Sequence, residues 1–283
     1  MREPSDEAAM ANRETLMRIT ASAYNHGLKA SCTAAVLTCL IAFSSYGQSP
    51  AANAATYLRK GQLSPRNREA LSVIGDRLEV PGKERVVLTG MLTLSTAPAS
   101  PISVRITAQW PGLLRIDGIP GGAIVLNSAG VAKANSPIGK QDEDLVNSFA
   151  FDWIDHYLLE QSQGTATRVL GPARLPDPTA ATPTVWNVVA VADTAQVQGR
   201  AAQMIKEYGF SFISRRLESV SYSLSLQGAI LAVQTRFSDW QSVQQQWVPG
   251  KITRLENGIP TFSFVLGSAT FGPTAADGAF DHP

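Results

Sequence analysis

From Ser219 to Leu226 the chain alternates without a break: Ser219, Ser221, Ser223 and Ser225 fall between Val220, Tyr222, Leu224 and Leu226. A period of two sends successive side chains to opposite faces of an extended chain, so this segment predicts a strand with one buried face. After Gln227-Gly228 the pattern resumes, with Leu231, Val233, Thr235 and Phe237 on one face. A third run extends from Val248 to Leu255, and a fourth places Phe262, Phe264 and Leu266 together. Asn257-Gly258 separates the last two, and both residue types tolerate the positive φ of a two-residue hairpin. The C-terminal part is thus predicted to be an antiparallel meander. It offers a broad apolar face with little reactive chemistry, which suits holding something apolar better than transforming it.

Upstream, Pro65 to Leu78 predicts a helix, with Ser64 as N-cap and Ala70, Leu71, Ile74 and Leu78 at helical spacing. Strands are predicted at Val86–Leu94, Ile102–Trp110, Leu113–Ile116, Ala123–Asn127, Thr167–Leu170, Val185–Val191 and Tyr208–Ile213. Turns fall at Ala97–Pro101 and Pro111-Gly112, and the Pro/Ala/Thr-rich stretch from Gly171 to Pro183 reads as a surface loop. Between Asp142 and Gln161 the period changes. Leu145, Val146, Phe149, Trp153, Tyr157 and Leu158 share one helical stripe, and Asp142, Glu143 and Asp144 crowd the start, where the macrodipole favours negative charge. This predicts one amphipathic helix whose aromatic residues either plug a face of the sheet or line a pocket beside it.

The N-terminus reads differently. Thr33 to Phe43 is apolar and uncharged, Arg18 and Lys29 precede it, and Ser45-Tyr46-Gly47 supplies small residues before Gln48. This is the layout of a secretory signal peptide, too short for the roughly 20 residues of a membrane span, although an uncleaved anchor is the alternative. The predicted organisation is a signal peptide over 1–47, a flexible linker over 48–63 and a single domain over 64–283. Cys32 and Cys39 both lie in the signal segment, so the exported chain has no disulfide framework and no thiolate chemistry. Neither sits in a lipidation pattern. Removing residues 1–47 takes four basic and four acidic residues from totals of 24 and 23, leaving the net charge at +1. That balance gives no electrostatic footprint for nucleic acid or an anionic membrane.

Catalytic motifs are scarce. The exported chain keeps only His156 and the near-terminal His282, where disorder is expected. Asp155 is next to His156 in sequence and points to another helix face, so His156 is assigned to surface or edge packing. No zinc-like spacing is present, and Asp142, Glu143 and Asp144 read as dipole partners, so no metal or cofactor is expected. Gly118–Gly122 leads into a strand and lacks a phosphate cradle's lysine and helix, and GxSxG is absent. A carboxylate pair for hydrolysis has no support in spacing.

Two stretches carry a resemblance. Ala108-Gln109-Trp110-Pro111-Gly112-Leu113-Leu114-Arg115-Ile116, followed by Ala123–Gly130, resembles the strand, Pro-Gly, strand hairpin of the LolA/LolB-like superfamily of lipoprotein carriers. The run Thr235–Trp240, Trp247–Ile252, Asn257-Gly258, Phe262–Phe264 and the closing Asp277–Phe280 is similar to that superfamily's C-terminal half. The resemblance implies an α+β fold: an open antiparallel half-barrel of about 9–11 strands with helices over its concave face. It further implies a non-catalytic periplasmic carrier for the acyl chains of lipoproteins or other lipids, without stable membrane insertion. Trp110, Leu114, Phe149, Trp153, Phe237 and Phe264 are the candidates to line the cavity, against the alternative that each is packed core. A lid over such a cavity is expected to have few polar anchors. Two further readings stand beside this one: an envelope sensor or interaction module binding a protein partner, and, less favoured, a secreted hydrolase.

Overall fold

The computed structural model describes residues 65–73, 84–95, 100–110, 112–163, 165–174, 184–197, 200–226, 229–275 and 278–283. The signal segment, the linker, most of the Gly171–Pro183 loop and the Gln227-Gly228 turn lie outside the described residues. So do positions 74–78 of the first predicted helix.

The strands are β1 (Arg85–Leu94), β2 (Ile102–Gln109), β3 (Leu113–Asp117), β4 (Ile124–Asn127), β5 (Gly130–Lys133), β6 (Thr167–Arg174), β7 (Val185–Val197), β8 (Arg200–Phe210), β9 (Leu217–Leu226), β10 (Ala229–Ser238), β11 (Gln241–Val243), β12 (Gln246–Val248), β13 (Lys251–Glu256) and β14 (Ile259–Gly272). Twelve form one sheet in the order β5-β4-β3-β2-β1-β14-β13-β10-β9-β8-β7-β6, while β11 and β12 pair as a separate hairpin. Neighbouring strands pair antiparallel throughout, as in Leu92 opposite Phe264 and Thr235 opposite Val220. The sheet stays open, with β5 and β6 at its two edges. It exceeds the predicted count because β5, Gly-Val-Ala-Lys, is too short and too weakly apolar to declare itself.

That topology dictates the cover. The chain leaves the sheet at edge strand β5 and rejoins it at the opposite edge, β6. The connection crosses one face as α2 (Lys140–Val146), a π-helical turn (Asn147–Phe151) and α3 (Ile154–Ser162). The result is an α+β open half-barrel with helices over one face. Helix α1 (Pro65–Ser72) packs beside α3, where Tyr157 donates to the Ala70 carbonyl at 2.6 Å.

The single helix predicted over 142–161 is therefore interrupted. Asp152 N–H bonds back five residues to Asn147 at 2.7 Å, and Trp153 is extended at φ −74°, ψ 156° before α3 restarts. The cause is Asp152, whose buried carboxylate is drawn into the sheet and cannot share the apolar stripe. The predicted Val248–Leu255 strand is also two elements. Pro249 has no N–H to pair, and a Cβ on Gly250 would meet the Asp239 carbonyl at 2.3 Å, so the chain turns there. The predicted strand Tyr208–Ile213 starts earlier, at Arg200, and stops at Phe210; Ile213 stands in the turn, 97% exposed. The predicted loop from Gly171 begins as strand to Arg174 after a bulge between Val169 and Gly171. The Asn257-Gly258 turn forms as expected, with φ of 49° and 79°.

At one place the sheet requires glycine. A Cβ on Gly90 would lie 2.3 Å from the Val265 carbonyl and 2.7 Å from the Phe264 ring. The β1–β14 register shifts at this point, which lets Phe264 lie across the strand.

Candidate functional site

The face beneath the helical segment is built from alternate residues of the strands. In its N-terminal half these are Val86, Leu88 and Leu92 of β1, Val104 and Ile106 of β2, Leu114 and Ile116 of β3, and Ile124 and Leu126 of β4, all buried. Phe262, Phe264 and Leu266 of β14 continue the surface. Phe149 of the π turn descends onto it, stacked on Phe262 at 6.0 Å and edge-on to Phe264 at 5.4 Å. Trp153 meets Phe237 edge-on at 6.2 Å. Of the six candidate lining residues, Leu114, Phe149, Trp153, Phe237 and Phe264 thus share one apolar cluster. Trp110 is buried at the end of β2, outside that cluster's membership.

The C-terminal half has a different interior. Lys206 keeps the phase of Met204, Tyr208 and Phe210 along β8, and Arg254 keeps the phase of Ile252 along β13; both are 1% exposed. Their partners come from the helical segment. Asp152 accepts from Thr235 Oγ1 at 2.7 Å and lies 3.1 Å from Lys206 and 3.5 Å from Arg254. Asp144 lies 3.4 Å from Arg254 and 2.9 Å from Lys140, which also reaches Glu256 at 2.7 Å. Lys206 further donates to the Phe151 carbonyl at 2.6 Å, and Arg254 to Tyr222 Oη at 3.0 Å. The helical cover therefore has many polar anchors, contrary to the few expected of a lid. Asp144, Ser148 and Asp152, four residues apart, form the stripe that makes them.

Burial sets the charge states. It would lower the Lys206 ammonium, but Asp152 and Asp193 more than compensate and hold it above the ordinary lysine range. Burial pushes the Asp144 carboxyl up, outweighing Arg254. It also pushes Tyr222 up to about 12, with Asp152 adding to the effect.

At the outer end of this network His156 meets Glu160 one helical turn on and Asp193 of β7, with Nε2 to oxygen distances of 3.6 Å and 3.4 Å. Its side chain is 13% exposed, so it is largely enclosed and not on the surface. The three donors that converge are His156, Glu160 and Asp193. Burial and the neighbouring Asp193 raise Glu160 well above the usual carboxylate range. Burial alone would raise Asp193 too, but Lys206 and His156 hold it well below. The Asp142–Asp144 run is likewise more than a set of dipole partners. Asp142 pairs with Lys133 at 2.8 Å and accepts from the Gly139 N–H at 3.0 Å. The C-terminal tail, expected to be disordered, is tied down: Arg115 donates to the His282 carbonyl at 2.7 Å and Asn127 to the Phe280 carbonyl at 2.8 Å.

No protein-family model matches the chain, and no curated protein matches it in sequence. Solved structures resemble it at a distance. A domain named for outer-membrane lipoprotein sorting, from Vibrio parahaemolyticus, is 10% identical, with 76% of this chain and 94% of that one covered at a TM-score of 0.45. A LolA-superfamily protein from Nitrosomonas europaea is 11% identical, with 75% and 96% covered at 0.47. A DUF1329-family protein from Desulfovibrio piger is 7% identical, with 76% and 94% covered at 0.41.

Proposed function

We propose that the chain is a non-catalytic periplasmic binding protein for acyl chains, carried by lipoproteins or free lipids, exported by a signal peptide over 1–47. A linker over 48–63 then leads to a single domain over 64–283. The observation that carries this reading is the unbroken apolar surface of β1–β4 and β14, covered by the interrupted segment that Phe149 seats upon it. An acyl chain gains roughly 0.8 kcal/mol for each CH₂ it buries, so such a surface retains one without a covalent step.

The polar anchors give the lid a direction. Its Asp144–Ser148–Asp152 stripe is fastened to β10 and β13, whereas its Phe149 side meets the sheet through apolar contacts. The segment opens on the Phe149 side and stays hinged on the charged side. Leu114, Phe149, Trp153, Phe237 and Phe264 are then the residues that receive the ligand, with Trp110 outside their cluster.

Native mass spectrometry of residues 48–283 from the host envelope is the test, followed by titration with a fluorescent fatty acid. Acylated species that leave on organic extraction, and saturable uptake by the extracted protein, are expected. Oleate should also speed hydrogen exchange in Asn147–Phe151 while leaving Lys251–Glu256 protected. A bare mass without uptake refutes the carrier. It would favour a partner-binding module of the envelope, a role for which the open edge strand β6, with Leu170 exposed, offers a β-augmentation surface.

A further inference from the structure

We propose that His156, Glu160 and Asp193 form a binding site for a divalent transition-metal cation of the Zn²⁺ class, with solvent as the fourth ligand. His156 and Glu160 are one turn apart on α3 and so share a face, while Asp193 arrives from β7. The three donor atoms all lie within 4.8 Å of one another. A tetrahedral ion with bonds of about 2.1 Å separates its donors by roughly 3.4 Å. The observed 3.4 Å from His156 Nε2 to Asp193 and 3.6 Å to Glu160 match that edge length.

A further observation points to a ligand. His156 Nε2 is shielded from solvent and makes no hydrogen bond among the described residues, its two carboxylate neighbours standing at 3.4 Å and 3.6 Å. The imidazole is meanwhile held edge-on by the Phe151 ring at 5.3 Å.

Lys206 competes for Asp193 Oδ2 from 3.0 Å. It is also held by the Phe151 carbonyl and Asp152, so it keeps partners when Asp193 turns to an ion. One imidazole and two carboxylates at this spacing suit Zn²⁺ better than Ca²⁺, which takes six to eight oxygens at longer bonds. The site stands apart from the acyl-binding reading: zinc can bind whether or not fatty acid does.

The test is calorimetric titration of chelator-stripped residues 48–283 with Zn²⁺, alongside the visible spectrum with Co²⁺. One Zn²⁺ per chain and the intense bands of tetrahedral Co²⁺ are expected. His156→Gln and Asp193→Asn should each weaken Zn²⁺ by about a hundredfold or more, with His282→Gln unchanged. If either variant fails to fold, the wild-type Co²⁺ spectrum decides, since a nitrogen–oxygen tetrahedral site has its own band intensity. No stoichiometric Zn²⁺ binding, an octahedral Co²⁺ spectrum, or affinity that survives in folded His156→Gln each overturns the proposal.

Discussion

The two halves of the sheet present the same backbone pattern to the same helical segment and fill it with opposite chemistry. From β4 to β14 every buried inward side chain is apolar; from β13 to β7 the inward positions include Arg254, Thr235, Tyr222, Tyr208, Lys206 and Asp193. The helical segment is matched to both. Phe149 faces the first half, and its immediate neighbour Ser148 faces the second, 3.4 Å from Thr235 and from Arg254. Apolar contact is tolerant of sliding and exchange, whereas buried ion pairs hold one geometry and punish loss of a partner. On the proposed function, a segment held by both has one side that can let go and one that cannot.

The largest effect that would break this comparison comes from Arg254→Leu. The substitution leaves Asp144, Asp152 and Glu256 without their shared cation, and a loss of about 3–5 kcal/mol in urea unfolding is expected. A loss no greater than that of a conservative apolar swap would mean the ionic half is not the fixed side. Next is Gly90→Ala, whose methyl meets the Val265 carbonyl and the Phe264 ring. It should cost about 1–3 kcal/mol and shift the Phe264 ring signals in NMR. Wild-type stability would show that β1 and β14 can separate there freely.

Within the apolar half, Phe149→Leu should cost about 1–2 kcal/mol, because three buried carbons and both ring contacts are lost. It should also change fluorescent fatty-acid uptake, while Arg254→Lys, where folded, should leave uptake alone. Equal effects of the two on uptake would remove the distinction between an opening side and a hinge.

How far the sequence revealed this architecture follows from the range of each interaction. The meander of β9, β10, β13 and β14 was legible because strand alternation and the Asn257-Gly258 turn are local signals. The helix break was not, since Asp152 leaves the helix for Thr235, Lys206 and Arg254, residues distant in the chain. A trace of the charged interior did exist. Lys206 falls in phase with Met204, Tyr208 and Phe210, and Arg254 with Ile252, so each is a cation at an inward position. Such a residue demands a buried carboxylate, but only the fold says which. The same holds for His156: the carboxylate of Asp193, which it meets at 3.4 Å, comes from a strand distant in the chain.

The smallest effect tests whether the hinge carries electrostatic cost as well as grip. The Asp144 carboxyl is raised because burial outweighs Arg254. A group raised on folding contributes its full stability below its unfolded pKa of 3.8 and loses it as pH climbs through the folded value. Asp144→Asn carries no such titration. The stability of the wild type relative to Asp144→Asn should therefore decline as pH rises from about 3 to about 6, by under about 1 kcal/mol. Urea midpoints of both proteins across that range decide it. A wild-type advantage that grows with pH would mean that Arg254 and Lys140 outweigh burial, making the charged side of the lid a net electrostatic attraction. The expected decline would instead mean that ionising Asp144 costs more than its partners return, so that the hinge owes its fixity to the penalty for separating charges already buried.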